Sequence, residues 1–333
     1  MHHTEIFILR IFGLTKSKTI KVESIALTTN WPVGPVNVYL IYGEKLTLVD
    51  TGLKNETTWR ELNSSLNQKG MTIQDLEQIV ITHHHNDHAG MLDWILQENS
   101  IPVYAHHFAK PYLERDRKYL KWSETFFRQL YYEFGLPEEL LGNIPRKRRK
   151  EKIDSFDLNI VSEGEEIPYL NGWKVIETKG HSQDHISLVH ENSQTMICGD
   201  HLIKGMPAGI FIDAPFEKHE RAKPLLQYVS SLETCLSLNL TKAYSGHGPV
   251  IYNVKEVIHE QLRRIENRAK RLKNILANES LTGFEIIQAM YPKRYKSSIG
   301  LFVSETLSLL DLLCERGEIT VSKRNGIYEY RQP

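Results

Sequence analysis

A run of imidazoles and carboxylates carries the strongest chemical signal in this sequence. It reads Thr82-His83-His84-His85-Asn86-Asp87-His88-Ala89-Gly90 and follows the apolar stretch Gln78 to Thr82. Imidazole nitrogen and carboxylate oxygen are the donors that borderline divalent cations such as zinc prefer. Alternate side chains of an extended segment face the same way, so His83 and His85 share a side and His84 points to the other. His83 and His85 are therefore candidate ligands, and His84 is expected to be dispensable for holding a metal. Asp87 and His88 stand where a helix should begin and can turn toward a second ion. These four donors cannot saturate two tetrahedral cations, so others must come from elsewhere in the chain.

Three more candidates are present. His181 lies in Thr178-Lys179-Gly180-His181-Ser182-Gln183-Asp184-His185, Asp200 in Cys198-Gly199-Asp200-His201, and His247 in Ser245-Gly246-His247-Gly248-Pro249. Each falls where a β-rich run gives way to a glycine-containing loop, which is how one edge of a sheet gathers distant residues. Two cations about 3.5–4 Å apart can share a water and lower its pKa toward neutrality, giving a metal-bridging hydroxide for attack on a carbonyl or phosphoryl group. Asp87 is the candidate catalytic residue, orienting that nucleophile and taking its proton. His185 and His201 stand beside the ligands in sequence and are candidates for supporting them or touching substrate.

The ordered set His83-x-His85-x-Asp87-His88, His181, Asp200 and His247 resembles the pattern of the metallo-β-lactamase superfamily. Val49-Asp50-Thr51-Gly52 is similar to a further motif of that family, an acid on a neighbouring loop that supports the metal loop. Across residues 20 to 255 the resemblance implies an α+β fold, a four-layer αββα sandwich with the site at one edge. It implies that His83, His85 and His181 hold one metal, that Asp87, His88 and His247 hold the other, and that Asp200 bridges both. Two divalent ions are implied, zinc first, with iron or manganese as alternatives. Val33-Gly34-Pro35-Val36-Asn37, Gly199-Asp200-His201-Leu202 and Gly246-His247-Gly248-Pro249 are similar to bacterial hydrolases with a winged-helix-like tail, a layout shared with β-lactamase-like protein 2 endoribonucleases.

The elements that must position these residues follow from periodicity. Ile20 to Leu27, Val36 to Tyr42, Leu46 to Val49, Gln78 to Thr82, Pro102 to Ala105, Trp173 to Thr178, Ile186 to His190, Thr195 to Cys198 and Lys242 to Tyr244 read as strands. Thr57 to Gln68, Ala89 to Gln97 and His219 to Leu238 read as helices. Between Phe108 and Lys152, aromatic residues at helical spacing (Tyr112, Tyr119, Trp122, Phe126) mark an inserted helical segment that should cover the metal cleft or a subunit interface. Its basic end, Arg146 to Lys150, reads as a solvated loop before it reads as a phosphate contact. A third region begins near Val254, with a helical stripe from Val254 to Leu276, a helix from Thr282 to Met290 and an apolar helix from Ile299 to Cys314. A hairpin at Asn325-Gly326 closes it. The expected division is an extension over 1–19, a catalytic domain over 20–254 and a winged-helix-like domain over 255–333.

Composition sets the bounds. The 333 residues include 41 Lys+Arg against 41 Asp+Glu, so no global field draws the chain to nucleic acid or anionic lipid. Three cysteines suit a reducing compartment, and the apolar stretch Ile6 to Leu14 is too short to span a bilayer, so a cytoplasmic protein without a membrane partner is expected. Several relatives of the resembled family are disfavoured. Secreted zinc β-lactamases carry an export signal and a cysteine where Asp200 stands. Flavo-diiron oxygen reductases place a carboxylate at the position of His85. Quorum-quenching lactonases have a tyrosine shortly after the bridging acid, where this chain reads His201-Leu202-Ile203-Lys204. Glyoxalase II lacks the tail. The expected function is hydrolysis of an ester, thioester, lactone or similar bond in a small molecule, with an endoribonuclease or phosphodiesterase as the alternative. The Ile299 to Cys314 helix contains Glu305 and Asp311 and no lysine or arginine, which suits packing, within the chain or in a homodimer, better than nucleic-acid recognition. A non-enzymatic ligand sensor would need a degraded ligand set, and this one is complete.

Overall fold

The computed structural model describes residues 21–141, 156–216 and 220–333. Six strands form the first sheet: β1 (Lys21–Leu27), β2 (Val36–Tyr42), β3 (Leu46–Val49), β4 (Gln78–Val80), β5 (Val103–Ala105) and β6 (Leu158–Ile160). They lie side by side in chain order. The first two pairings are antiparallel and the remaining three parallel. The second sheet holds β7 (Trp173–Glu177), β8 (Ile186–His190), β9 (Thr195–Gly199) and β10 (Lys242–Ser245), in the order β10-β9-β8-β7.

Side-chain alternation shows how the layers stack. Along β2, Val38 and Leu40 join Leu62, Leu66 and Ile95 of the helices outside the first sheet. Tyr39 and Ile41 point the other way, into a cluster with Val175, Ile186, Leu188 and Ile197 of the second sheet. Along β9, Ile197 faces that inner cluster while Met196 and Cys198 pack outward on Leu225, Tyr228 and Leu232. The result is helix, sheet, sheet, helix, the four layers expected from the sequence. Strands buried on both faces read as continuous apolar runs, which is why β2, β8 and β9 stood out.

Local signals set the boundaries. Asn55 caps the helix Glu56–Asn67 by accepting from the Thr58 amide at 3.0 Å. The helix expected over Ala89 to Gln97 is two short ones, Asn86–Ala89 and Leu92–Glu98. Pro224–Ser237 forms where a helix over His219 to Leu238 was expected. The insertion between β5 and β6 consists of Lys110–Leu113, Arg117–Glu133 and Glu138–Leu141. The basic run Arg146 to Lys150 and the N-terminal extension lie outside the described residues.

The C-terminal region follows its expected elements closely. Helices Val254–Ile275, Gly283–Met290 and Ile299–Glu315 accompany a small sheet whose β11 (Leu281–Thr282) lies between the first two helices and whose β12 (Thr320–Arg324) and β13 (Ile327–Arg331) follow the third, ordered β11-β13-β12. Thr282 and Glu285 form a capping box at the second helix. Asn325 and Gly326 take φ of 51° and 85°, the left-handed pair that a two-residue hairpin turn needs. The stripe Val254, Ile258, Ile265, Ala269, Leu272 and Leu276 is buried in one apolar cluster that also contains Phe302, Leu309, Leu310 and the Leu225, Tyr228 and Leu232 face of the second sheet's outer helix. Helix Ile299–Glu315 is therefore covered within its own chain. No helix among the described residues is long and apolar enough to cross a membrane.

Candidate metal centre

Every candidate donor sits just past the carboxyl end of a strand: His83 to His88 after β4, His181 after β7, Asp200 after β9 and His247 after β10. Three sets of donor atoms lie within 4.8 Å of one another: His83, His85 and His181; His83, His88 and Asp200; and Asp87, His88 and His247. The Nδ1 atom of His85 is 3.0 Å from His83 Nε2 and 2.9 Å from His181 Nε2. Nitrogens bound tetrahedrally to zinc at its usual bond length stand about 3.3 Å apart, so this trio fits one ion with little adjustment. Asp87 Oδ2 lies 3.2 Å from His247 Nε2 and 3.8 Å from His88 Nε2. Asp200 stands between the groups, with Oδ2 3.5 Å from His181 and 3.6 Å from His247, and Oδ1 3.3 Å from His88.

The far side of the rings is as informative as the near side. His83 Nδ1 meets Thr82 Oγ1 at 3.0 Å, His88 Nδ1 meets Asp50 Oδ2 at 2.8 Å, His181 Nδ1 meets the Gly209 carbonyl at 2.7 Å, and His247 Nδ1 meets the Pro35 carbonyl at 2.8 Å. An acceptor on Nδ1 fixes the tautomer that leaves Nε2 with its lone pair, the usual arrangement behind metal-ligating histidines. His88 Nε2 and Asp200 Oδ1 are buried and have no hydrogen-bond partner. Buried polar atoms are rarely left so, and a shared cation would satisfy both. The donor set fits two divalent metals.

Electrostatics agree. Burial, then the neighbouring rings, hold His83 and His85 well below the usual histidine range, so both are neutral, the ligating form, at neutral pH. Burial opposes charge on His88 and Asp200, but Asp200, Asp87 and Asp50 together push His88 well above its usual range. In turn His88, His181 and His247 hold Asp200 well below the carboxylate range against its own burial. The carboxylates call for positive charge at their centre.

Of the expected supporting residues, Asp50 and His185 take that part. Asp50 adopts a left-handed backbone with φ of 61°, a strained conformation for a non-glycine residue. The kink aims its carboxylate at the Thr82 amide (2.8 Å) as well as at His88. His185 binds Thr178 Oγ1 and accepts from the Asp200 amide at 3.1 Å. His201 turns away, its Nε2 3.5 Å from Cys235 Sγ. All three are buried, at 2% exposure or less. Gly246 has a steric reason: a Cβ there would come within 2.3 Å of Asp200 Oδ1.

His84 points away from the donors, as alternation requires, but it is not idle. Its Nδ1 meets Asp184 Oδ1 at 2.8 Å, its amide donates to Asp184 Oδ2 at 2.7 Å, and its ring stacks on Tyr112 of the insertion at 3.6 Å. Burial alone would raise the Asp184 carboxyl, yet His84 holds it down to about 2. We expect His84→Ala to retain the metal content of the parent while losing about 2 kcal/mol of stability, because the buried Asp184 carboxylate keeps the residue-84 amide but loses its imidazole partner. Metal analysis alongside thermal melting checks both halves, and loss of metal as complete as in His85→Ala would make His84 part of the ligand set.

The segment from Ile203 to Phe216, which carries no periodic signal, joins the centre to its surroundings. Phe211 sets its ring edge against His85 and His181, at 5.0 and 5.4 Å between centroids. Asp213 accepts from the Gln183 amide and from Tyr112 Oη. Tyr119 and Trp122 donate to the Ala214 and Pro215 carbonyls. Phe216 stacks between Phe108 and Tyr119. Through these contacts the described part of the insertion is joined to the loop that carries Phe211.

Residues 31–247 match the model of the metallo-beta-lactamase superfamily. The chain belongs to that superfamily. A probable metallo-hydrolase of Bacillus subtilis (strain 168), YqjP, is 34% identical over 305 residues, covering 91% of this chain and 95% of the relative. A beta-lactamase-like protein 2 homolog of Caenorhabditis elegans is 30% identical over 264 residues, covering 77% and 70% of the two chains. The crystal structure of a metallo-beta-lactamase family protein from Thermus thermophilus superposes with a TM-score of 0.78 at 25% identity, covering 94% of this chain and 98% of the other. The protein is accordingly a metallo-hydrolase of the metallo-beta-lactamase superfamily.

Proposed function

We propose that the protein is a dinuclear metallohydrolase that cleaves an acyl bond in a small molecule, with thioesters the first class to test and esters and lactones next. The observation that carries this is the convergence of His83, His85 and His181 on one side of Asp200 and of Asp87, His88 and His247 on the other. Two divalent cations held there, zinc first and iron or manganese as alternatives, would polarise a carbonyl and acidify an attacking water. Asp87 would orient that water and take its proton, while Asp50, His185 and the Gly209 and Pro35 carbonyls would hold the ligands in register. Phe211 offers an apolar wall beside His85 and His181, suited to an acyl chain. A relative from Passalora fulva, 23% identical over 302 residues, is named an atrochrysone carboxyl ACP thioesterase, which supports testing thioesters first.

Nuclease action is disfavoured. Helix Ile299–Glu315 has Phe302, Val303, Leu309, Leu310 and Leu313 buried and its acids paired with Arg268 and Arg221, so it has no basic face for a phosphate backbone. Tail residues 255–333 thus serve this chain's own packing, in a winged-helix-like domain.

Protein purified without chelator should contain about two metal equivalents per chain. It should hydrolyse a thioester in a panel that also offers lactones, phosphodiesters and single-stranded RNA. A single tightly held ion after metal supplementation would remove the dinuclear reading. Cleavage of RNA in preference to every acyl substrate would replace the substrate class.

A further inference from the structure

Helix Val254–Ile275 lies outside the donor set, yet it grips the loop that shapes it. Gln261, only 2% exposed, donates through Nε2 to the Ile203 carbonyl at 3.1 Å and to the Met206 carbonyl at 2.6 Å. One turn on, Arg264 donates to the Gly205 carbonyl at 3.0 Å. The chain from Asp200 is therefore pinned three, five and six residues downstream of the carboxylate. Further along the same loop, Gly209 accepts from His181 Nδ1, the Phe211 amide donates to the His181 carbonyl at 3.2 Å, and the Ile212 amide donates to Ser304 Oγ at 3.3 Å. A loop without regular structure gains its shape from such anchors, and the orientation of a ligating imidazole follows its Nδ1 acceptor.

We propose that Gln261 is a positioning residue for the metal centre: by fixing the Ile203 to Met206 turn it sets where the Gly209 carbonyl stands and hence how His181 presents Nε2. This rests on the dinuclear reading above. Gln261 makes no contact with the donors and acts only through the loop. Its side chain is suited to the task because a primary amide has two N–H donors, enough for two carbonyls at once. Methionine, of similar length and shape, would fill the same space and leave both carbonyls without that partner.

The test uses full-length protein loaded with cobalt(II), whose visible absorption reports ligand geometry. Gln261→Met and Gln261→Glu are compared with the parent and with Leu272→Ala, which hollows the core about three turns farther along the same helix. We expect both Gln261 variants to shift the cobalt spectrum and to weaken cobalt binding about tenfold, the lower end for a residue supporting a ligand. Leu272→Ala should lower the melting temperature and leave spectrum and affinity as in the parent. Gln261 variants that melt earlier but keep the parental spectrum and affinity would overturn the proposal, as would an equal spectral shift in Leu272→Ala. If Gln261→Met fails to fold, Gln261→Glu carries the comparison alone. Parental protein that takes up no cobalt overturns the dinuclear reading and the proposal together, an outcome distinct from the other two.

Discussion

Asp200→Ala is expected to lower hydrolytic turnover by about a thousandfold or more, equivalent to about 4 kcal/mol of transition-state stabilisation. Its carboxylate reaches both donor groups, the two oxygens lying 3.3 to 3.6 Å from His88, His181 and His247. Removing it takes one ligand from each of two ions and leaves His88 without its strongest opposing charge. Asp200→Asn keeps the shape but not the charge and should fall between parent and alanine variant. Metal content is expected to drop in both, with secondary structure intact because the loop is held from outside by Gln261 and His185. Turnover within about tenfold of the parent, at full metal loading, would show that Asp200 does not bridge the ions.

Ending the chain before Val254 should abolish folding to a cooperative, soluble state. The family model spans only residues 31–247, which invites reading the motif region as an independent unit. The apolar cluster says otherwise. Ile258, Ile265, Phe302, Leu309 and Leu310 cover Leu225, Tyr228 and Leu232, which would be laid bare by the truncation. Three such side chains laid bare at about 2 kcal/mol each cost about 6 kcal/mol, comparable with the roughly 5–15 kcal/mol by which a typical domain is stable at all. Urea titration of a 1–253 fragment, followed by tryptophan fluorescence, reads the result. A sharp unfolding transition with the parental slope would mean that the catalytic layers stand without the tail.

The donor residues were legible because each requirement leaves a local trace. Extended backbone sets His83 and His85 on one side and ejects His84, and glycines beside His181, Asp200 and His247 mark loops that must pass close to something. The strands were legible because burial on both faces leaves runs such as Val36–Tyr42 almost wholly apolar. What stayed hidden was nonlocal. Backbone carbonyls of Pro35 and Gly209 orient His247 and His181, and a carbonyl has no letter of its own in a sequence. Gln261 and Ser304 are polar residues on apolar stripes, and only the loop opposite explains them. Tyr112 fell on the expected helical spacing, but its stacking on His84 could not be read from either residue. The contact of His201 with Cys235 was equally hidden, because the two residues are far apart in sequence.

The bracing of the 203–216 loop also has a bearing on biosynthesis. Ser304 is separated from Ile212 by 92 residues, and Gln261 from Ile203 by 58. Translation proceeds from the amino end, and domains ordinarily fold as they emerge. Here the candidate donors all precede the helices that fix the loop beneath His181, so they leave the ribosome before those helices do. The nascent chain thus exposes a complete but slack set of imidazoles and carboxylates for an interval before it acquires the geometry to select among metals.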